Sequence, residues 1–302
     1  MNYDLTYGGF TSVALGNFDG VHLGHRAVLK AAAEKSAEGL SSYAVVFDEH
    51  PQKILADKAP PALCEGRIRE RLFAECGVRL CVLDFNKIRG MSARDFFVEI
   101  LVNKLKTAFV SCGYNYRFGL GGKGGVPLLR ELCAEFGLGL CVAEEVKVGD
   151  LSVSSTNIRD ALLRGDVELA NTMLGREFSY DFTVVSGDRL GRLLGFPTIN
   201  QYFPEDFTVP LYGVYASKAF VGRDWLPAVT NIGLRPTVSS LSGEAPRSET
   251  CILDFDGDLY GQNIEVALVK FLRPEKKFGS FEELSAQIKE DAAAAKEVAE
   301  AL

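Results

Sequence analysis

The chain holds three histidines in 302 residues, and all three fall within its first 50 positions. Two of them, His22 and His25, stand three apart in the run GNFDGVHLGH, residues 16–25. Gly16 closes a short β-type run, residues 17–20 read as a tight polar turn, and a stretch of good helix formers starts near Val21 or His22. Residues three apart on a helix share a face, so the spacing predicts that both imidazoles project together from the helix N-terminus. The free N–H groups and partial positive charge of such a terminus already attract an anion. Gly24 between the histidines leaves the backbone approachable. Two imidazoles added there suit a polyphosphate, above all the extra charge of a phosphoryl transition state.

Three further stretches have the composition of ligand sites. In SVSSTNIRDALL, residues 152–163, the hydroxyls of Ser155 and Thr156 can cap a helix that carries Arg159 in its first turn, a second grip for phosphate. GYNYRFGLGGKGG, residues 113–125, is a loop dense in aromatics and glycine that follows a strand. In GDRLGRLLGFPTIN, residues 187–200, Gly187, Gly191 and Gly195 permit tight turns beside a ligand, and Arg192 offers a positive charge. The Thr198 hydroxyl and Asn200 amide oxygen there are hard donors of the kind Mg2+ favours. This stretch is not a P-loop, since G-x-x-x-x-G-K-[ST] occurs nowhere in the sequence.

These groups need two different scaffolds. Up to about residue 150 the periodicity alternates: TSVALGN, SSYAVVFDEHP, RLCVLDF, TAFVSCG and LCVAEEVKV read as strands. Between them VHLGHRAVLKAAAEKSA, GRIRERLFAECGV, SARDFFVEILVNKL and VPLLRELCAEFG read as helices. Such alternation predicts a mainly parallel sheet covered on both faces, with ligands at the carboxyl ends of the strands. A helical stretch over 157–174 follows. Beyond about residue 180 short β-rich runs are separated by Gly, Pro, Asp and Ser, until FEELSAQIKEDAAAAKEVAEAL closes the chain as an amphipathic helix. That pattern predicts a small barrel or sandwich with one terminal helix.

Composition narrows the class. Hydrophobic residues make up 47% and charged residues 24%, values of a globular protein with a proper core. A formal net charge of −7 argues against wholesale binding of nucleic acid or an anionic membrane, though a local phosphate pocket needs only a few cations. No apolar run approaches the roughly 20 residues of a membrane span, and MNYDLTYGGF lacks the pattern of a signal peptide. Seven cysteines without a C-x-x-C pair read as reduced thiols, which points to the cytoplasm.

The run G-x-F-D-x-x-H-x-G-H resembles the HxGH motif of the nucleotidyltransferase superfamily, whose members transfer a nucleotidyl group by in-line attack on an α-phosphate. The motif alone leaves the acceptor open among pantetheine phosphate, nicotinate mononucleotide and FMN. S-S-T-x-I-R followed by LLRGDVELANTMLGR closely resembles the bacterial bifunctional riboflavin kinase/FAD synthetase family. The strings G-R-x-L-G-F-P-T-x-N, LYGVYA, TNIGLRPTV, SETCILDF and FLRPEKKF look like segments of its kinase half.

The resemblance implies a Rossmann-like nucleotidyltransferase domain over residues 1–178 and a small antiparallel β-barrel with a terminal helix over 179–302. In the first, His22 and His25 would bind ATP phosphates and stabilise developing charge, reinforced by Arg159. Asn115 would help hold the reacting phosphates, Ser155, Thr156 and Gly24 would belong to the same nucleotide- and flavin-binding site, and Gly16, Phe18 and Asp19 would shape the nucleotide pocket. His50, in an F-x-x-H-P element, would either shape the flavin side or serve structure. In the second domain Gly191, Arg192, Gly195 and Pro197 would contact nucleotide, and Thr198 and Asn200 would bind the magnesium–nucleotide. Glu249 would accept the proton of the ribityl 5′-hydroxyl, and Arg273 would lie in a flap over the flavin. Riboflavin, FMN, FAD and ATP would be the partners, with Mg2+ required and no oligomeric state assigned.

Three positions depart from the family pattern. Phe182 stands where most relatives have a glycine, Ile199 where a small residue is usual, and PALCEGRIRERL lacks the common L-T-x-x-x-K opening. No proposed catalytic group is lost by them.

Overall fold

The computed structural model describes residues 9–56, 58–187, 195–234 and 245–300. The chain divides into two compact units, residues 1–60 with 69–154 and residues 61–68 with 155–302.

The first unit is built on five parallel strands: β1 (Thr11–Leu15), β2 (Ser41–Phe47), β3 (Arg79–Leu83), β4 (Thr107–Gly113) and, after two short paired strands β5 (Arg117–Phe118) and β6 (Gly124–Gly125), β7 (Gly139–Ala143). Their order is β3-β2-β1-β4-β7, and their parallel pairing is what the alternating pattern predicts. A hairpin of β8 (Lys147–Val148) and β9 (Leu151–Ser152) follows. Every residue of β1 is buried, which suits a central strand covered on both faces.

Helix α1 (Leu23–Ala33) is pinned to this sheet by buried hydroxyls. Ser12 and Ser42 each donate to the Ala32 carbonyl at 2.9 Å, and Ser111 donates to the Val28 carbonyl at 2.8 Å. Strands β1, β2 and β4 therefore all fix the helix whose first turn carries the paired histidines. Short helices α2 (Pro51–Ala56), α3 (Gly66–Glu75) and α4 (Phe85–Ile88) connect the strands.

The single helix expected over residues 92–105 is instead α5 (Ala93–Asp95), capped by Ser92, running into a π-helix over Phe96–Lys104. Its i→i−5 ladder ends with the Leu105 N–H donating to the Ile100 carbonyl at 2.9 Å. Phe96, Phe97, Ile100, Leu101 and Leu105 are all buried. Their four- and five-residue spacing forms one stripe on the wider helix, which an α-helix would spread around its surface. Helix α6 (Val126–Phe136) completes this layer.

The second unit opens with α7 (Ser155–Leu163) and α8 (Val167–Leu174), parted at Gly165 and restarted by Asp166, whose Oδ1 accepts the Leu169 N–H at 3.2 Å. Six antiparallel strands follow: β10 (Phe178–Thr183), β11 (Thr198–Tyr202), β12 (Gly213–Val221), β13 (Asp224–Gly233), β14 (Arg247–Ile252) and β15 (Asn263–Arg273). The sheet order is β10-β15-β12-β13-β14-β11. Its edges meet where Val185 bridges Asn200, and the Gln201 side-chain amide donates to the carbonyls of Phe182 (2.6 Å) and Ile264 (2.8 Å). The sheet is thus curled into the small barrel that the sequence predicts, with a side-chain staple at the seam.

Phe182 has a packing role. Its ring lies 5.4 Å from Tyr180, 5.6 Å from Phe203 and 5.1 Å from Phe207, completing an aromatic cluster. Helix α9 (Phe281–Glu300) covers Val214, Ala216, Val229 and Cys251 with Ala292 and Ala295. Among the described residues no helix is long and apolar enough to cross a membrane.

Candidate functional site

In the first unit the loop after β1 emerges beside the end of β4, its parallel neighbour. Strands β2 and β3 lie to one side of β1, and β4 and β7 to the other. Connections from the two sides diverge at that crevice, where α/β sheets bind ligands. The loop itself is strained: Phe18, Gly20 and Val21 have φ of 53°, 81° and 42°. A β-branched valine rarely adopts this conformation, and each such non-glycine residue costs about 1–3 kcal/mol. Packing enforces it. Phe18 is 1% exposed, and its ring meets His25 at 5.3 Å and Phe73 at 5.9 Å, both edge-on. A Cβ on Gly16 would touch that ring at 3.0 Å. Phe18 therefore buttresses His25 from inside the fold, while Asp19 is half-buried in the same loop.

Helix α1 starts one to two residues later than its sequence suggests, and this changes how the histidines meet. His22 has extended backbone (φ −71°, ψ 173°) and acts as the N-cap, its Nδ1 accepting the His25 N–H at 3.2 Å. The two rings stack at 3.6 Å with 18° between their planes. A Cβ on Gly24 would press on the His22 ring at 3.3 Å, so glycine keeps that stack seated. There is no acidic residue in the first turn of α1 to offset the helix dipole.

The hydrogen bonds fix where the ring protons are. Because His22 Nδ1 accepts, a neutral His22 carries its proton on Nε2. His25 Nδ1 is buried without a hydrogen-bond partner among the described residues, and burial, followed by the neighbouring His22, pushes its pKa well below 6.5. An orphaned buried N–H is rarer than an under-satisfied acceptor, so neutral His25 also carries its proton on Nε2. Both neutral rings thus carry their proton on Nε2. Asn115 is exposed in the turn after β4, at the same carboxyl edge of the sheet. His50, at the end of β2, accepts the Gln52 N–H on Nδ1 at 3.2 Å and so caps α2.

Ser155, Thr156 and Arg159 lie in the first turns of α7, which belongs to the second unit. Helix α7 likewise has no acidic residue in its first turn. Arg159 Nε donates to the Pro61 carbonyl at 2.7 Å.

Strand register assembles the other candidates of the second unit. Across β11, β14 and β13, Thr198, Cys251 and Val229 form one row, and Asn200, Glu249 and Asn231 form the next. Tyr202, Arg247 and Gly233 form the third. A cavity of about 260 Å3 against α9 is lined by Thr198, Glu249, Asn231 and Arg273 among others. A second, of about 310 Å3, is lined by Gly187, Pro197, Thr198 and Asn200. Thr198 borders both cavities, which places it between the Glu249 side and the Asn200 side. Asn200 is 7% exposed, and a Cβ on Gly187 would lie 2.5 Å from its Nδ2. Glycine at 187 is therefore what lets the amide take its place. Gly195 has φ 81°, and Gly191 and Arg192 lie outside the described residues.

Glu249 forms an ion pair with Arg247, two residues back on the same strand face. Arg273 is committed to Asp291 of α9, with Nε to Oδ1 at 3.0 Å and Nη2 to Oδ2 at 2.8 Å. Arg247, Asn231 and Glu275 line the Glu249 side but do not stand out in the sequence. Alternation from Glu249 points to Arg247, whereas Asn231 needs the cross-strand register. Asn231 Nδ2 donates to Glu275 Oε1 at 3.2 Å.

Among the described residues no cluster of three or more His, Cys, Asp or Glu side chains forms a metal cage. The neutral oxygens of Thr198 and Asn200 still fit a magnesium ion that takes its remaining ligands from phosphates and water.

Comparison with known proteins accounts for both units. Residues 8–157 match the family model described as FAD synthetase, and residues 174–299 the one described as riboflavin kinase. The bifunctional riboflavin kinase/FMN adenylyltransferase of Escherichia coli strain K12 is 38% identical over 290 residues, covering 94% of this chain and 91% of that protein. The Bacillus subtilis strain 168 protein of the same description is 35% identical, covering 92% and 89%. A crystal structure from Streptococcus pneumoniae described as a macrolide-efflux protein superposes with a TM-score of 0.88 at 28% identity, over 97% of this chain and 96% of that one. With a nucleotidyltransferase sheet in its first half, a curled kinase barrel in its second and such relatives along nearly its whole length, the chain belongs to the bifunctional riboflavin kinase/FMN adenylyltransferase family.

Proposed function

We propose that the two reactions of this family are carried by the two constellations described above. The protein phosphorylates riboflavin to FMN with ATP and adenylylates FMN with ATP to give FAD and pyrophosphate. The activity boundary is proposed at residues 178/179. The supporting observation is that Thr198 and Glu249 line one cavity of the barrel, while the stacked histidines occupy the switch crevice of the parallel sheet.

In the kinase reaction the Glu249 carboxylate, oriented by Arg247, accepts the proton of the 5′-hydroxyl as its oxygen bonds to the γ-phosphorus and ADP leaves. Thr198 and Asn200 would hold the divalent metal, taken to be Mg2+, together with the phosphates. When bound, it neutralises phosphate oxygens and orients them. Pro197 and Gly195 shape the nucleotide side, and so do Gly191 and Arg192. Arg273, tied to Asp291, braces the flavin-side wall.

In adenylyl transfer an oxygen of the FMN phosphate bonds to the α-phosphorus of ATP and the bond to pyrophosphate breaks. The nucleophile is already ionised, so no base is needed, and catalysis rests on positioning and charge stabilisation. His22 and His25 donate through Nε2–H to the ATP phosphates, and Gly16, Phe18, Asp19 and Gly24 hold their loop. Asn115, Ser155, Thr156 and Arg159 serve the same transfer. The cytoplasm, where thiols stay reduced, is the proposed compartment, as no disulfide forms among the described residues.

Incubation with riboflavin, ATP and Mg2+, followed by chromatography of flavins, should show FMN and then FAD. Glu249→Gln should abolish FMN formation and leave FMN-to-FAD conversion within about twofold of wild type, and His25→Ala the reverse. Loss of both reactions in either folded variant would refute the two-site division.

A further inference from the structure

The second unit contains eight residues, Pro61–Ile68, that arrive from the middle of the first half of the chain. They are bonded on as a strap. The Ala62 N–H donates to the Asp206 carbonyl at 2.7 Å, and the Thr208 N–H to the Ala62 carbonyl at 2.8 Å, around a parallel bridge between Ala62 and Phe207. The Pro61 carbonyl receives two donors: Arg159 Nε at 2.7 Å and the Thr208 hydroxyl at 3.0 Å. Thr208 is 2% exposed, so its hydroxyl is no surface accident. The same barrel segment also holds the end of α7, since the Leu211 N–H donates to the Leu162 carbonyl at 2.9 Å.

A guanidinium is a planar fork, and anchoring its Nε on a fixed acceptor sets the direction of its two terminal nitrogens. The acceptor here is well fixed. Proline restricts φ at residue 61, the bridge holds residue 62, and the Thr208 hydroxyl orients the carbonyl oxygen between them. We propose that Thr208, acting through the Pro61 carbonyl, is a positioning residue for Arg159 in adenylyl transfer. This rests on the assignment of Arg159 to that reaction. It makes a residue of the kinase half part of the other activity's machinery, through a main-chain oxygen that no side-chain comparison would reveal.

The bifunctional protein carries its own control, because Thr208 sits in the barrel unit whose kinase reaction can be measured on the same sample. Thr208→Val, Thr208→Ser, Arg159→Ala and the double variant Thr208→Val/Arg159→Ala are assayed in full-length protein, each half-reaction separately. Thr208→Val should lower kcat/KM for FMN adenylylation roughly tenfold while kinase kcat/KM stays within about twofold. Thr208→Ser should restore most of the loss. Arg159→Ala should cost at least as much, and the double variant no more than Arg159→Ala, the non-additivity expected of a residue acting through another. An unchanged Thr208→Val beside a crippled Arg159→Ala would overturn the positioning role and leave the assignment of Arg159 standing. An active Arg159→Ala would overturn that assignment, and the proposal with it. A parallel fall of both reactions that serine does not rescue would mark Thr208 as merely structural and overturn the proposal.

Discussion

Burial changes what an imidazole can offer a phosphate. A solvated histidine gains a proton near pH 6.5, but His25 is walled in by Phe18 and stacked on His22, and its pKa lies well below that value. It is neutral across the physiological range, so in the proposed adenylyl transfer it would donate without first having to become an imidazolium. The same shift has a stability consequence. Below pH 6.5 the unfolded chain takes up a proton at this position that the folded chain refuses, so the contribution is complete above that pH and is lost as pH falls. The slope is at most about 1.4 kcal/mol per pH unit from this group. Denaturant unfolding of wild type and His25→Ala at pH 7.5 and 5.5 should show the wild type losing more stability on acidification than the variant; equal losses would contradict the burial argument. The pairing of His22 with His25 was legible from spacing and glycine content. The capping geometry was not, because a shift of one or two residues in a helix start leaves no trace in a short pattern. Asn231 escaped for another reason: a single sequence does not contain the register that brings three strands level, whereas Arg247 could have been reached by alternation from Glu249.

At the scale of elements, the alternation of strands and helices predicted the parallel sheet, and the clustered short strands predicted a barrel or sandwich, of which the barrel is found. The π-helix at 96–104 was hidden because the i, i+4 spacings 96/100, 97/101 and 101/105 also occur on an α-helix, and only the full set of five, spread over half an α-helical circumference, favours the wider one. The barrel seam was equally unreadable. Gln201 looks like an ordinary polar residue in an alternating strand, yet it is fully buried and its amide bonds two carbonyls of other strands. Gln201→Leu fills similar space but removes both side-chain bonds, at about 0.5–1.5 kcal/mol for each. Unfolding of the barrel should therefore shift down by about 1–3 kcal/mol, measured in denaturant with Trp225 as the reporter, since it is the chain's only tryptophan and lies in β13. A shift below about 0.5 kcal/mol, the range of an ordinary surface change, would show that the seam does not need its staple.

For the whole molecule, similarity along the chain and compactness in space draw different lines. The family models leave residues 158–173 between them, and these make up most of α7 and α8. Both helices pack into the second unit. Ile158, Leu162, Met173 and Leu174 are buried there, Asn171 Oδ1 accepts the Phe178 N–H at 2.7 Å, and Asn171 Nδ2 donates to the Leu268 carbonyl at 2.9 Å. A fragment of residues 155–302 should accordingly melt several degrees above one of residues 179–302; equal melting temperatures would mean the helices add nothing to the barrel. The change of periodicity near residue 180 marked where the β-rich pattern begins, but periodicity carries no information about which neighbour a helix packs on. The strap at Pro61–Ile68 has a consequence in time. Its hydroxyl partner lies 147 residues further along the chain. At the usual pace of translation, about 5–20 residues per second, the ribosome needs roughly 7–30 s to deliver that partner. For all of that interval the nascent chain carries an early-made segment whose docking surface does not yet exist.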